Sequence, residues 1–429
     1  MQHDRGNGMN ILVLCSEFPP ETHGGASTFI FELSHGLIQN GINIHIITKT
    51  LKDNQEECID NKLFIYRVAC FNRHPCESLE NSSLQNAKDR FKIINKARKV
   101  FNKNTIDFLL IIDCFQIREA ISLKEQYRIP IIAVFQIVFF AEKYVPIKYR
   151  LARKNYNKLI NEEALTINHA DFIIANSCWT KNFLIKEYKL DHDKIVYIHN
   201  GSNFFLKTDF ESKSLVTKFI DKYSLKSYKL LTFVGRLVEQ KGVVELLSIA
   251  KLLINQKKNI KFLIVGKGEL ENYLIDLIRR ENLSEYFLFL GFKDWHELLT
   301  IYKASNLLVM PSVYEPFGFV AIEAMAMGLP VIASNIGGLK EIIQNKKNGI
   351  LINSLNDFEP DSKQFSIQIL NLLENNSLYE KISKNARKRV LEHFSRDNMV
   401  QKYLIFLKTL TQFPPKGKSK TSLGIDCLT

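Results

Sequence analysis

Residues 312–334, Ser-Val-Tyr-Glu-Pro-Phe-Gly-Phe-Val-Ala-Ile-Glu-Ala-Met-Ala-Met-Gly-Leu-Pro-Val-Ile-Ala-Ser, decide how this chain is read. Glu315 and Glu323 bracket a glycine turn at Gly318 and the first half of a short helix. Gly328-Leu329-Pro330 stops that helix, because glycine closes a helix end and proline cannot continue one; a strand over Val331 to Ala333 follows at once. A loop carboxylate, N–H groups at a helix start and a second carboxylate inside the helix suit one ligand that is both polyhydroxylated and phosphorylated. Carboxylates accept hydrogen bonds from vicinal hydroxyls, while free N–H groups and the positive helix end suit phosphate oxygens. A nucleotide-sugar has that chemistry. The apolar flanks Val320, Ala321, Ile322, Ala324, Met325 and Met327 leave little polar face, so a carboxylate there requires hydrogen-bond donors.

Outward from this stretch, strand and helix patterns alternate, the signature of doubly wound parallel sheets. Strands are expected at Met9 to Cys15, Ile42 to Thr48, Phe108 to Ile112, Ile131 to Phe135, Phe172 to Ala175 and Ile195 to Ile198, with a helix carrying Phe29, Ile30, Leu33 and Leu37 on one face. Periodicity is lost after Asn200. A second series then runs through Leu230 to Val234, a helix from Val243, Lys261 to Val265, Phe287 to Leu290, Leu307 to Met310 and Val331 to Ala333. A chain of 429 residues exceeds what one hydrophobic core organises. The expected division is a first domain over 9–203, a second over 204–395, a helix over 396–412 that packs back on the first domain, and a disordered tail over 413–429. Ligands of open α/β sheets bind beyond the carboxyl ends of the strands, which here means an interdomain cleft where both sets of loops converge.

Gly235-Arg236-Leu237-Val238-Glu239-Gln240-Lys241-Gly242 follows a buried strand and opens a helix. Alone, two cations at this spacing are commonplace surface residues. At a strand end they can clamp a diphosphate through charge-assisted bonds.

The composition is that of a soluble globular protein, 46% hydrophobic and 24% charged. No apolar run is long enough for a membrane-spanning helix, and Ile129 to Ala141 reads as a buried strand entering a loop. The polar stretch Met1 to Gly8 lacks the apolar centre of a signal peptide, so Met9 is the expected native start. Seven cysteines without a CxxC fit neither a disulfide framework nor a zinc site; Cys15 and Cys114 read as buried small hydrophobes, and a reducing cytoplasm is expected. The net charge of +13 concentrates in 88–103 and 143–158, where basic residues alternate with apolar and aromatic ones. Basic amphipathic helices can lie on anionic lipid at the inner membrane face, but a solvated helix face is the preferred reading. No nucleic-acid motif is present.

Gly-Arg-Leu-x4-Lys-Gly, Glu-Pro-Phe-Gly-Phe with Glu-x7-Glu, Gly-Leu-Pro-Val-Ile-Ala and Gly337-Gly338 together resemble the retaining GT-B glycosyltransferases of glycosyltransferase family 4. The resemblance runs from Phe18-Pro19-Pro20 and Gly24-Gly25 to the C-terminal helices, and its motifs are most specific in the second half. It implies a GT-B fold, two Rossmann-like domains facing a cleft, and transfer of a hexosyl or N-acetylhexosaminyl group from a nucleoside-diphosphate sugar to an acceptor hydroxyl, with no cofactor and no metal. It further implies that Arg236 and Lys241 hold the donor diphosphate and that Glu315 with the Phe317, Gly318 and Phe319 backbone orients the sugar. Glu323 would bind the ribose hydroxyls, and Gly24 and Gly25 would approach the phosphate. Base choice falls near Phe292 and Lys293, with UDP the commoner partner and GDP next. Many relatives carry a histidine where this chain has Gln136, a residue that can contact acceptor or donor sugar but cannot titrate near neutral pH. Proton acceptance then falls to the leaving phosphate. Asn200-Gly201 matches the family's pair after the last strand of the first domain and equally suits a plain turn.

Weaker signals are set aside. Asp191-His192-Asp193 mimics a metal-binding Asp-x-Asp but reads as a hydrophilic turn; Gly266-Lys267-Gly268 lacks the third glycine of a dinucleotide fingerprint; His169 reads as a helix C-terminal residue. Two alternatives stay open. A nucleotide-sugar epimerase of the same fold needs a set of acid and base groups not found in the first half. A non-catalytic sugar-nucleotide-binding protein is kept in play by Gln136.

Overall fold

The computed structural model describes residues 8–21, 24–71, 83–145, 156–203, 212–256, 259–356 and 359–412. These fall into two compact units, one drawn from 1–141, 152–201 and 396–429, the other from 142–151 and 202–395.

The first unit is a winding of strands and helices: β1 (Asn10–Cys15), α1 (Gly25–Gln39), β2 (Asn43–Thr50), β3 (Gln55–Ile59), β4 (Leu63–Ala69), α2 (Ser83–Lys103), β5 (Phe108–Ile112), α3 (Ile117–Tyr127), β6 (Ile131–Phe135), α4 (Tyr156–His169), β7 (Phe172–Ala175), α5 (Cys178–Tyr188) and β8 (Ile195–Tyr197). Its eight strands lie in the order β3-β4-β2-β1-β5-β6-β7-β8. All pairs are parallel except β3 with β4. Every residue of β5, β6 and β7 is buried, the unbroken apolar run a sheet covered on both faces requires.

The second unit continues with α6 (Ser212–Lys222), β9 (Lys229–Val234), α7 (Glu245–Ile254), β10 (Ile260–Val265), α8 (Glu271–Arg280), β11 (Phe287–Gly291), α9 (Trp295–Ala304), β12 (Leu307–Met310), α10 (Phe319–Ala326), β13 (Val331–Ser334), α11 (Leu339–Ile342), β14 (Ile350–Ile352), α12 (Ser362–Glu374) and α13 (Asn376–His393). Its six parallel strands lie in the order β11-β10-β9-β12-β13-β14. The last helix, α14 (Arg396–Gln412), belongs to the first unit and packs on α1. Gly36 permits a close approach: a Cβ there would overlap the Val400 side chain.

Two doubly wound sheets are the architecture expected of the sequence. Three differences have local causes. β3 was not foreseen, because Gln-Glu-Glu-Cys-Ile is polar and mostly exposed at the sheet edge, where only one side needs pairing; β4, a mostly apolar inner strand, was not expected either. β14 is three residues long, too short for periodicity to register. Residues 379–410 read in the sequence as one helical stretch, and the structure divides them between two helices, broken at Phe394-Ser395.

On α2, Ile93, Ala97 and Val100 are buried, while Lys92 reaches the Ala69 carbonyl and Lys96 reaches Glu56. Two of the helix's basic side chains are thus held by neighbouring strands of the same sheet. Most of 143–158, and all of 1–7 and 413–429, lie outside the described residues. Among the described residues no helix is long and apolar enough to cross a membrane.

Candidate functional site

In the second sheet, β9 and β12 are neighbours at the point where strand order reverses, β10 and β11 lying to one side and β13 and β14 to the other. Loops at such a switch point open the crevice where doubly wound sheets bind ligands. The loop after β9 carries Arg236, exposed, and Lys241. Gly242 ends it at φ +63°, and a Cβ there would overlap the Pro311 carbonyl at the end of β12, so only glycine allows this approach. The Gln240 carbonyl accepts from the Val313 N–H at 2.8 Å and the Tyr314 N–H at 3.3 Å, binding the two loops together. Lys241 Nζ donates to Glu315 Oε2 at 2.6 Å, both side chains largely covered.

The Glu315–Phe317 segment rests on Gly337-Gly338. The Gly338 N–H donates to the Glu315 carbonyl at 3.0 Å. A Cβ on Gly337 would overlap the Glu315 carbonyl, and one on Gly338 would lie 2.6 Å from Phe317 Cα. Gly318, at φ +120°, then turns the chain into α10. Inside that helix Glu323 Oε2 accepts from Tyr302 Oη at 2.9 Å. Burial pushes the Glu323 carboxyl up to about 7, against the opposing pull of the Tyr302 hydrogen bond. Burial, followed by the Glu323 charge, holds the Tyr302 phenol well above its usual value.

In the first sheet the switch point lies between β1 and β5. The loop after β1 leads through Phe18-Pro19 to Gly24, which caps α1, and Gly25, its first residue. A Cβ on Gly24 would meet nothing within 4 Å, so packing does not demand glycine there. Arg67, 3% exposed on β4, clamps this loop: Nη1 donates to the Phe18 carbonyl at 3.1 Å, Nη2 to the Pro19 carbonyl at 2.6 Å and Nε to Glu57 at 3.1 Å. Beyond β6, the Gln136 amide pairs with the Asn200 amide, Asn200 Nδ2 donating to Gln136 Oε1 at 2.7 Å and Gln136 Nε2 to Asn200 Oδ1 at 3.3 Å. Asp113, just past β5, and Glu163 on α4 are buried carboxylates, each pushed up to about 7 by burial against hydrogen bonds that lower it.

The family description Glycosyl transferases group 1 matches residues 217–389, and Glycosyltransferase Family 4 matches residues 23–203. Over 404 residues, 92% of this chain and 96% of the relative, the sequence is 30% identical to an uncharacterized glycosyltransferase of Methanocaldococcus jannaschii. The chain is a GT-B glycosyltransferase of family 4.

The glycosyltransferase is also 21% identical to mannosylfructose-phosphate synthase of Agrobacterium fabrum, over 91% of this chain and 87% of that one. Its fold matches sucrose-phosphate synthase of Thermosynechococcus elongatus with a TM-score of 0.77 at 21% identity, covering 94% of this chain and 99% of that one. It also matches HepE of Anabaena, solved with UDP-glucose, with a TM-score of 0.71 at 20% identity, covering 94% and 100%.

Of the site residues read from the sequence, the structure joins Lys241 directly to Glu315 and places Glu323 one helix away with Tyr302 as partner. Gly266-Lys267-Gly268 packs on the Arg236 loop, the Leu237 N–H donating to the Lys267 carbonyl at 3.0 Å. Phe292, 60% exposed, and Lys293, paired with Glu297 at 2.7 Å, follow β11. Asp191-His192-Asp193 is a turn in which the Asp191 side chain accepts the Asp193 N–H, and His169 ends α4. Among the described residues no group of three or more His, Cys, Asp or Glu is arranged to hold a metal ion. Sequence reasoning missed Tyr302, Arg67, Asp113 and Glu163. Asp113 alone left a signal, as a charge ending the apolar run Phe108 to Ile112.

Proposed function

We propose that this glycosyltransferase moves a hexosyl or N-acetylhexosaminyl group from a nucleoside-diphosphate sugar to an acceptor hydroxyl, with retention at the anomeric carbon and without a metal ion. UDP is the favoured nucleotide and GDP the next. Support for UDP comes from the Anabaena neighbour, solved with UDP and with UDP-glucose. The observation that carries the reading is the meeting of Lys241 and Glu315 on the two loops that flank the β9/β12 switch point.

On this reading Arg236 and Lys241 receive the diphosphate, each charge-assisted bond contributing about 1.5–3 kcal/mol. Glu315 and the backbone from Phe317 to Phe319 orient the sugar, and Glu323 accepts the ribose hydroxyls. Gly24 and Gly25 leave the α1 start open to phosphate, and Gln136 contacts a sugar hydroxyl. The C1–oxygen bond to the diphosphate breaks while the acceptor oxygen bonds C1 on the same face, and the acceptor proton passes to the departing phosphate oxygen. Gln136 plays no part in that proton transfer, since an amide does not titrate. A cytoplasmic site of action belongs to the same proposal.

A thermal-shift panel of UDP-, GDP- and ADP-sugars tests the donor, because ligand at a hundred times its dissociation constant adds about 2.7 kcal/mol of stability. UDP-glucose is expected to give the largest shift, and NMR of the product to show the donor's anomeric configuration. Binding without hydrolysis or transfer would instead support the non-catalytic alternative that Gln136 raises.

A further inference from the structure

Four of the five backbone N–H groups from 136 to 140, the segment leaving β6, end on two buried carboxylates. Asp113 Oδ1 accepts from Gln136 at 2.7 Å and from Ile137 at 3.0 Å. Glu163 Oε2 accepts from Phe139 at 2.6 Å, and Oε1 from Phe140 at 3.2 Å and from Tyr188 Oη at 2.6 Å. The same segment is tied from its other side. Asn176 Nδ2 donates to the Gln136 carbonyl at 2.9 Å, and Asn176 Oδ1 accepts from Thr180 Oγ1 at 2.9 Å. Asp113, Glu163, Asn176 and Thr180 are each no more than 4% exposed.

A loop leaving a buried strand needs acceptors for its N–H groups, but carbonyls or water supply these more cheaply than charge. Two carboxylates buried for one five-residue turn point to a turn whose position matters. Its first residue is Gln136. The Gln136 N–H, carbonyl, Oε1 and Nε2 are all held by neighbours. Its amide keeps one N–H and one lone pair beyond those bonds, which is what a hydroxyl needs.

We infer that Asp113 and Glu163 are positioning residues of the transfer reaction, fixing through the 136–140 turn the amide that Gln136 presents at the carboxyl edge of the first sheet. This rests on the reading of Gln136 as a sugar contact. Neither carboxylate touches substrate; both act through the backbone. Asp113 uses one oxygen for both N–H groups, so an asparagine with its oxygen in that place can replace it. Glu163 spends both oxygens on three donors, and a glutamine cannot.

The test is a double-mutant cycle on donor hydrolysis, with UDP-glucose as probe. Asp113→Ala is expected to lower kcat by about tenfold to a hundredfold, the cost of a small misplacement at a reacting centre, with KM for UDP-glucose within about twofold. Asp113→Asn should recover most of that loss. In a Gln136→Ala background Asp113→Ala should add little, because both act on one contact. Deuterium exchange of the peptide covering 136–140 should quicken by about tenfold to a hundredfold in Asp113→Ala, the factor two lost hydrogen bonds supply. Should Asp113→Ala fail to fold, Glu163→Gln carries the same cycle. Multiplicative losses in the double variant, unchanged exchange, or unchanged kcat would each overturn the inference. Inactive wild-type protein with UDP-, GDP- and ADP-linked glucose and N-acetylglucosamine alike would instead overturn the donor reading.

Discussion

Lys241 and Glu315, far apart in sequence, meet at 2.6 Å because β9 and β12 are adjacent strands whose loops open on the same edge of the sheet. Glu315 is 8% exposed, so its carboxylate depends on this partner. A diphosphate arriving at Lys241 would compete for the ammonium, and its sugar hydroxyls would replace the donor that Glu315 loses. Lys241→Met should destabilise the fold by about 1–3 kcal/mol in urea titration, the cost of a covered charge left without its donor. Lys241→Met/Glu315→Gln should recover part of that stability. Initial rates in the single variant should fall by about a hundredfold or more.

Glu323 supplies a pH signature. Its carboxyl is raised by burial to about 7 in the fold from an ordinary value of 4.5. Between those values the folded chain holds a proton that the unfolded chain has released, so this group's contribution to stability falls as pH rises from 4.5 to 7 and is level above. Hydroxyl recognition runs the other way, because the ionised form is the better acceptor. Donor affinity measured by calorimetry should rise from pH 6 to pH 8, and Glu323→Gln should flatten that rise. An equal slope in the variant would sink this role for Glu323.

Gly338 and Gly24 should behave oppositely when replaced by alanine. A Cβ on Gly338 would lie 2.6 Å from Phe317 Cα, so Gly338→Ala should unfold several degrees earlier and displace the Glu315–Phe317 segment. A Cβ on Gly24 meets nothing within 4 Å, so Gly24→Ala should keep its melting temperature. If Gly24 faces phosphate as proposed, that same variant should raise KM for the donor. Differential scanning calorimetry alongside steady-state kinetics separates the two.

Metal independence is tested with chelator. Turnover by the wild-type enzyme should be unchanged by excess EDTA, because Arg236 and Lys241 carry the charge of the leaving diphosphate in the proposed step. Abolished transfer that magnesium restores would defeat that assignment.

Much of the fold was legible in the chain. Apolar runs such as Phe108–Ile112 and Leu307–Met310 are local, and their burial on both faces left no alternative to strands. The helix stop at Gly328-Leu329-Pro330 was equally plain, and the structure places Gly328 at φ +73°. The polar edge strand β3 was not legible, since half its hydrogen-bonding capacity faces water and its residues need no pattern.

The sequence by itself determined the two α/β series, the carboxylates and cations, and the glycines that let loops approach strand ends. These are properties of spacing within a few residues, where period and turn chemistry act. Only the tertiary structure decided the partners: Lys241 with Glu315, Tyr302 with Glu323, Gln136 with Asn200 and Asp113 with the turn after β6. The reason is strand order. Each such pair sits on elements brought together by the winding of the chain, and no local pattern encodes which loop ends up beside which.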